Sequence, residues 1–184
     1  MGFDQELFKR ALDFAASVHG DQRVPGSGFP YVVHVTKVAM EVLASTEGAP
    51  AADRDLAVAC ALLHDTVEDC QPDVRADVRR RLLVEFGRAV AEGVEALTKD
   101  PRLPKAEAMA DSLRRLLAQP ATVRLVKLAD RITNLEPPPA DWSAEKRRSY
   151  RDEANVILTE LAGCSPALEE RLRLKIEAYA RYGL

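Results

Sequence analysis

The side chains best suited to chemistry lie together in residues 61–69, which read ALLHDTVED. If this segment is helical, His64 and Glu68 lie one turn apart, as do Asp65 and Asp69, so each pair occupies one side of the helix. The apolar residues before His64 indicate a helix that arrives from the core, which favours a cleft over an open surface. Imidazole and carboxylate groups together suit a borderline or hard divalent ion. The alternative is a chance His-Asp pair followed by solvent-exposed acids, so a metal site requires further ligands from elsewhere in the chain.

His34 is the first further candidate. It lies in residues 31–45, one turn before Val38, on the inward stripe of an apolar pattern with helical period. This position predicts a buried imidazole. A buried histidine is commonly a hydrogen-bonded core residue, and the spacing alone leaves that alternative open.

Asp130 is the second further candidate, within the strongly apolar helix predicted for residues 121–135. An unpaired carboxylate in such a helix costs roughly several kcal/mol, so Asp130 should meet a cation or a metal ion. Lys127 or Arg131 could supply the cation, and Asp130 would then have a purely structural role. Asn134 lies one turn further on and shares the face of Asp130.

Composition favours an ordinary globular protein with a single domain over residues 1–184. Hydrophobic residues make up 47% and charged residues 30%, and the net charge of −3 gives no reason to expect nucleic acid or an anionic membrane as a partner. The three cysteines lack C-x-x-C spacing, which disfavours disulfides and structural zinc and favours the cytoplasm. The sequence has no leader pattern and no run of roughly 18 apolar residues, so secretion and membrane insertion are disfavoured.

Helical periodicity predicts an all-α fold, a bundle of about eight or more helices without strands. Asp4 and Ser143 precede two of these helices and are typical N-cap residues, and Gly87 is a stop signal. The glycines and prolines of residues 21–30 predict a loop, in which Arg23 is an isolated charge. The predicted helices cover residues 4–19, 31–45, 51–65, 73–86, 89–98, 105–118, 121–135, 143–162 and 165–182.

These residues resemble a known family, the HD-domain phosphohydrolases. Within that family the chain is similar to the hydrolase module of RelA/SpoT-type alarmone enzymes, and above all to the small stand-alone alarmone hydrolases of the metazoan SpoT-homologue type. The resemblance covers nearly the whole chain. It is carried by HGDQR at 19–23, PYVVH at 30–34, LLHDTVED at 62–69, TK at 98–99 and KLADRITN at 127–134, and by Trp142 and Tyr150.

The resemblance implies a metal centre and a catalytic pair. The implied cofactor is one divalent ion, typically Mn²⁺, bound by His34, His64, Asp65 and Asp130. Glu68 and Asp69 resemble the catalytic acids of the family, which would orient the attacking water and take or return its proton.

The resemblance also implies the substrate, guanosine 3′,5′-bis(diphosphate) or its pentaphosphate relative. Hydrolysis would release pyrophosphate and leave GDP or GTP, which lowers alarmone levels in the stringent response. Arg23 matches a loop residue that lies against guanine, Asn134 and Tyr150 match residues of the nucleoside pocket, and Lys99 is a candidate phosphate contact. One departure is Val24, where the small members often carry a lysine. No segment resembles a synthetase, so we expect hydrolysis only.

The sequence is compatible with two alternatives to alarmone hydrolysis. An HD phosphatase could act on another nucleotide, for example on the 2′-phosphate of NADPH. A non-catalytic domain could instead sense the nucleotide without cleaving it. The acidic pair Glu68 and Asp69 argues against the second alternative, because binding alone does not require acids beside the metal.

Overall fold

The chain is built from helices. A computed structural model describes residues 3–183, with the side chains of all of these except residues 105 and 106. Within that range there are nine α-helices, one 3-10 helix and, outside them, one isolated bridge between Arg23 and Pro30, so the predicted all-α class is confirmed. The helices are α1 (Gln5–His19), α2 (Val32–Ser45), α3 (Ala51–Leu63), α4 (Thr66–Asp69), α5 (Arg75–Leu97), α6 (Lys105–Leu117), α7 (Ala121–Asn134), α8 (Ala144–Glu160) and α9 (Pro166–Tyr179), followed by the 3-10 helix Ala180–Tyr182.

Two predicted N-caps are confirmed. The Asp4 carboxylate accepts hydrogen bonds from the backbone N–H groups of Glu6 and Leu7, at 2.9 and 3.0 Å. The Ser143 hydroxyl accepts one from the backbone N–H of Lys146, at 3.2 Å. Each cap occupies backbone donors that have no partner inside the helix, and so determines where α1 and α8 begin.

The helix predicted for residues 51–65 is shorter in the structure, because α3 ends at Leu63. The imidazole of His64 donates through Nδ1 to the carbonyl of Ala61, at 2.8 Å, and the Thr66 hydroxyl donates to the carbonyl of Leu63, at 2.7 Å. These side-chain donors occupy carbonyls that a further helical turn would use. His64 and Asp65 therefore lie in a two-residue break before α4, so the helix predicted to reach residue 65 ends two residues early and residues 61–69 are divided between α3, this break and α4.

The two helices predicted on either side of Gly87 are joined in α5. Gly87 has a φ of 83° and a ψ of 171°, so the backbone leaves the helical conformation at this one residue. A side chain at positive φ is strained, which is why glycine suits the kink. The predicted stop at Gly87 is confirmed as a kink between two helical halves.

Helices α2, α3 and α7 form the centre of the molecule. α3 packs against α1, α2, α5 and α7, and α7 packs in addition against α2 and α9. Residues Ala57–Leu63 of α3 and Leu125–Thr133 of α7 are all buried. Asp130 is thereby carried into the core, where it needs partners. None of the described helices is long and apolar enough to cross a membrane.

Gly93 allows α5 to approach α3 and α7 closely. A Cβ atom at this position would lie 2.7 Å from Sγ of Cys60 and 3.3 Å from Cγ2 of Val123. We expect Gly93→Ala to lower the free energy of unfolding by about 1–3 kcal/mol, because overpacking of a filled core forces neighbouring side chains to move. Urea unfolding would measure the loss.

The second substitution Cys60→Ala supplies the control for Gly93→Ala, since it removes the sulfur atom that the new methyl group would meet. The double variant should be more stable than Gly93→Ala alone. A Gly93→Ala protein as stable as the wild type would contradict this account of the helix contact.

Candidate functional site

The four predicted metal ligands meet in the interior. His34 comes from α2, His64 and Asp65 from the break between α3 and α4, and Asp130 from α7. One donor atom of each lies within 4.8 Å of the donor atoms of the others. Nε2 of His64 is 2.9 Å from Oδ2 of Asp65, and Nε2 of His34 is 3.4 Å from Oδ1 of Asp130. Residues far apart in sequence thus form one cluster of two imidazoles and two carboxylates.

This cluster fits a divalent metal ion. Nε2 of His34 and Nε2 of His64 are both buried and have no hydrogen-bond partner among the described residues. The other ring nitrogen of His64 is anchored on the carbonyl of Ala61. An imidazole anchored through one nitrogen on a backbone carbonyl, with the other nitrogen left for the ion, is the usual arrangement of a metal-binding histidine. Nitrogen and oxygen donors of this kind suit borderline divalent ions.

Both carboxylates of the cluster have further partners. The Tyr31 hydroxyl donates to Oδ2 of Asp65, at 2.6 Å. The ammonium group of Lys127 lies 3.0 Å from Oδ2 of Asp130, and the amide of Asn134 donates to Oδ1, at 2.5 Å. The structural alternative for Asp130, an ion pair with Lys127, therefore exists alongside the cluster geometry, since Oδ1 still faces the histidines.

The charges of the cluster change the pKa values of its members. Burial opposes protonation of His64, but the carboxylates of Asp65 and Asp130 outweigh burial and raise its pKa well above the ordinary value. Burial likewise opposes protonation of His34, and the nearby carboxylates of Asp130 and Asp65 outweigh burial and raise its pKa overall. Burial alone would raise the pKa of Asp65, but the two imidazoles hold it well below the ordinary value. Without metal, the histidines of the cluster therefore tend to hold protons.

Metal binding should depend on pH for this reason. A divalent ion binds the neutral imidazole, so an ion that enters the cluster displaces protons from His34 and His64. Because both pKa values are raised, metal affinity should fall as the pH decreases, and the fall should begin above the ordinary histidine pKa. Calorimetric titrations in buffers with different ionisation enthalpies would measure the released protons. An affinity that does not change with pH would contradict the assignment of these ligands.

The two predicted catalytic acids lie on α4, next to the cluster. The Glu68 carboxylate accepts a hydrogen bond from the backbone N–H of Lys99, at 2.9 Å, and forms an ion pair with the ammonium group of the same residue. The Asp69 carboxylate accepts from the side-chain amide of Gln22, at 2.7 Å. Burial and the nearby charge of Asp65 raise the pKa of Asp69. Lys99, predicted as a substrate contact, is thus placed beside Glu68.

Two cavities adjoin the cluster. The first, of about 570 Å³, is lined by Asp65, Asp130, both α4 acids and the cationic residues Lys99, Lys127, Arg131 and Lys146. The second, of about 380 Å³, is lined by His34, by loop residues between positions 24 and 29, and by the prolines at positions 137–139. The cavities share Asn134, Trp142 and Tyr150. The cluster therefore lies between a charged cavity and a more apolar one.

The two aromatic residues shared by the cavities, Trp142 and Tyr150, each make a cation–π contact. The rings of Trp142 and Tyr150 meet edge to face, with centroids 5.1 Å apart. The Lys146 ammonium lies 4.1 Å from the Trp142 ring centroid, and the Arg131 guanidinium lies 4.3 Å from that of Tyr150. Asn134 and Tyr150, predicted to bind the nucleoside, are thus brought together at the boundary of the cavities.

Arg23 lies apart from the other predicted site residues. Its side chain is exposed, and its guanidinium donates to the carbonyl of Gly28, at 3.4 Å. Arg23 lines neither of the two cavities, whereas its neighbour Val24 lines the second. The structure therefore does not bring Arg23 together with Asn134 and Tyr150.

Three residues at the site were not singled out from the sequence. They are Tyr31, which bonds Asp65, Gln22, which bonds Asp69, and Lys146, which lies over Trp142. Tyr31 and Gln22 belong to segments that carry the family resemblance, and this is the feature of the sequence that could have identified them as site residues. Their partners are 34 and 47 positions away in sequence, so spacing could not reveal the contacts.

Comparison with known proteins gives consistent results. Residues 11–166 match the HD domain family. The Danio rerio protein named guanosine-3′,5′-bis(diphosphate) 3′-pyrophosphohydrolase MESH1 is 35% identical, over 88% of this chain and 88% of the relative. The Mus musculus protein of the same name is 34% identical, over 96% and 97%. A solved structure of a metazoan orthologue of SpoT, described as hydrolysing ppGpp and acting in starvation responses, superposes with a TM-score of 0.82, at 26% identity and full coverage of both chains.

Proposed function

This chain belongs to the HD domain family, and from that membership we propose that it is a metal-dependent hydrolase of guanosine 3′,5′-bis(diphosphate). The products would be GDP and pyrophosphate, and the pentaphosphate would give GTP and pyrophosphate. The observation that carries the proposal is the meeting of two histidines and two aspartates beside an acidic pair, at the junction of two cavities. The named activity of relatives at 34–35% identity over nearly the whole chain supports the choice of substrate.

The metal ion would be bound by four residues, His34, His64, Asp65 and Asp130. We propose Mn²⁺, which accepts the mixed nitrogen and oxygen donors present here. When bound, the ion would lower the pKa of a water molecule and neutralise charge on the phosphoryl group. The unpartnered Nε2 atoms of the two histidines support this assignment.

The α4 acids would move the protons of the reaction. Hydrolysis forms a bond between the water oxygen and the phosphorus attached to O3′, and breaks the bond between that phosphorus and O3′. One proton must leave the attacking water and one must reach O3′. Glu68, held by Lys99, and Asp69, held by Gln22, line the cavity beside the cluster and can do both in turn.

The two cavities suggest how the substrate would lie. The diphosphate at the 3′ position would occupy the first cavity, where Lys146 and Arg131 contribute positive charge. The nucleoside would occupy the second cavity, which is lined by aromatic residues and prolines. Asn134 and Tyr150 lie at the boundary, where the ribose would cross. Contact between Arg23 and guanine would require its side chain to leave the carbonyl of Gly28.

Product analysis tests the proposal. Metal-loaded protein is incubated in parallel with the alarmone, with NADPH and with simple nucleotides. We expect GDP and pyrophosphate from the alarmone. Inorganic phosphate released from NADPH alone would favour the phosphatase alternative, and binding without turnover would favour a nucleotide sensor. Synthesis of alarmone from ATP and GDP would contradict the expected hydrolysis-only activity.

We further propose that the enzyme acts in the cytoplasm, where it would lower alarmone levels in the stringent response. The cysteine pattern of the chain supports a reducing compartment. The small guanine nucleotide would be its partner, with no role for nucleic acid or membrane.

A further inference from the structure

A chain of hydrogen bonds joins the end of α1 to the acid Asp69. Nδ1 of His19 lies 2.8 Å from Oε1 of Gln22, and Nε2 of Gln22 donates to Oδ2 of Asp69, at 2.7 Å. The bond from Gln22 reaches only Oδ2 of Asp69. The three residues therefore form a directed chain that fixes one carboxylate oxygen and leaves the other available.

The direction of this chain follows from what each group can donate. An ionised carboxylate only accepts hydrogen bonds, so Gln22 must present its NH₂ group to Asp69. The amide oxygen then faces His19, whose Nδ1 must carry a proton to donate to it. Burial lowers the pKa of His19 overall, so the ring is neutral and Nδ1 carries its single proton. The Asp69 carboxylate thus determines which way the Gln22 amide is turned, and the Nδ1–H of His19 supports that orientation from the other end.

Burial of His19 and two backbone bonds hold the chain in place at one end, while the bond to Asp69 lies at its exposed end. His19 is 6% exposed and packs against Tyr31, with ring centroids 4.6 Å apart. The backbone N–H of Gln22 donates to the carbonyl of His19, at 2.8 Å, and the carbonyl of Gln22 accepts from the N–H of Tyr31, at 2.9 Å. Tyr31 itself donates to Asp65. The end of α1 thus supports both an acid of the pair and a ligand of the cluster.

We propose that His19 and Gln22 are positioning residues, which hold the Asp69 carboxylate in the orientation that proton transfer requires. This inference rests on the proposed function, because Asp69 needs a fixed orientation only if it exchanges protons with water or O3′. Neither residue would touch the substrate. Their loss should therefore affect the rate of the chemical step more than substrate binding.

Replacement of Gln22 by methionine tests the inner bond of the chain. Methionine has a similar length and no amide, so the side chain keeps about the same size while the bond to Asp69 is lost. We expect kcat to fall about 10- to 100-fold, by analogy with the removal of groups that orient metal ligands, with KM and bound metal nearly unchanged. An unchanged kcat, or a loss of bound metal equal to the loss of rate, would overturn the proposal.

Two replacements of His19 separate positioning from packing. His19→Phe keeps a ring against Tyr31 but removes the donor, whereas His19→Asn removes the ring but can present an N–H group near the position of Nδ1. If His19 acts by positioning, kcat of His19→Asn should exceed that of His19→Phe by at least about 5-fold, within the contribution of one supporting hydrogen bond. If His19 acts by packing, kcat of His19→Phe should exceed that of His19→Asn. Thermal unfolding of both variants would detect a loss of folding.

NMR of the side-chain amide of Gln22 tests the hydrogen-bonded chain without requiring enzyme activity, and so tests it apart from the proposed substrate. In the metal-free protein, the side-chain amide NMR signals of Gln22 are assigned from their absence in Gln22→Met. They should shift in Asp69→Ala and in His19→Phe, because each variant removes a bond to one end of the amide. Signals that do not shift would overturn the hydrogen-bonded chain even in an active enzyme. Shifted signals in a protein without alarmone hydrolysis would instead overturn the proposed substrate.

Discussion

Replacement of Glu68 by glutamine should leave the full content of bound metal and lower kcat for the alarmone by about 10²- to 10⁴-fold, the usual contribution of a general acid or base. Glutamine has the shape of glutamate and can still accept the backbone N–H of Lys99, which bonds Glu68 at 2.9 Å. It cannot take a proton from water. Asp69→Asn should behave in the same way, because the two acids would share the proton transfers.

The measurements for Glu68→Gln are kcat, KM and the metal-to-protein ratio. Glu47→Gln is the control, since Glu47 is an exposed acid that lines neither cavity. That control should keep kcat within about 3-fold, as expected for a surface acid outside the reaction. If Glu68→Gln lost its metal, Glu68 would belong to the ligand set, and if it kept full activity the catalytic assignment would be wrong.

The sequence predicts those features of the fold that depend on contacts between neighbouring residues. The caps Asp4 and Ser143 and the kink at Gly87 use contacts or dihedral angles within a few residues, and the sequence predicts all three. The end of α3 was not predictable in this way. Apolar periodicity continues through Leu63, and the helix ends because the side chains of His64 and Thr66 bond backbone carbonyls, which periodicity does not contain.

The site, like the fold, is only partly predictable from the sequence. The cost of a buried carboxylate predicts a partner for Asp130, and the resemblance selects the metal cluster over a simple ion pair with Lys127. The structure contains the geometry for both, since different oxygens of Asp130 face Lys127 and the histidines. The hydrogen bond from Tyr31 to Asp65 depends on how the helices pack, so composition and spacing do not predict it. The side chain of Arg23 lies outside both cavities, and whether it meets the substrate stays a prediction.

Replacement of Asp130 by leucine should remove bound metal and turnover and also lower the free energy of unfolding. Lys127 and Asp130 are both nearly fully buried, with side chains 7% exposed. Burial lowers the pKa of Lys127, but the Asp130 carboxylate outweighs burial and raises it, so Lys127 is charged. Without Asp130 a charged group remains in the core without its partner, at a cost of about 3–5 kcal/mol. Urea unfolding in the presence of a chelator would measure this cost apart from any effect of metal.

The double variant Lys127→Met/Asp130→Leu separates the two roles of Asp130. It removes the stranded charge and fills the site with apolar groups, so most of the lost stability should return. Bound metal and turnover should stay absent, because the carboxylate ligand is still missing. A double variant no more stable than Asp130→Leu would show that the ion pair with Lys127 does not explain the destabilisation. Metal bound at the wild-type ratio in either variant would remove Asp130 from the ligand set and leave His34, His64 and Asp65 as the ligands of the ion that the proposed hydrolysis requires.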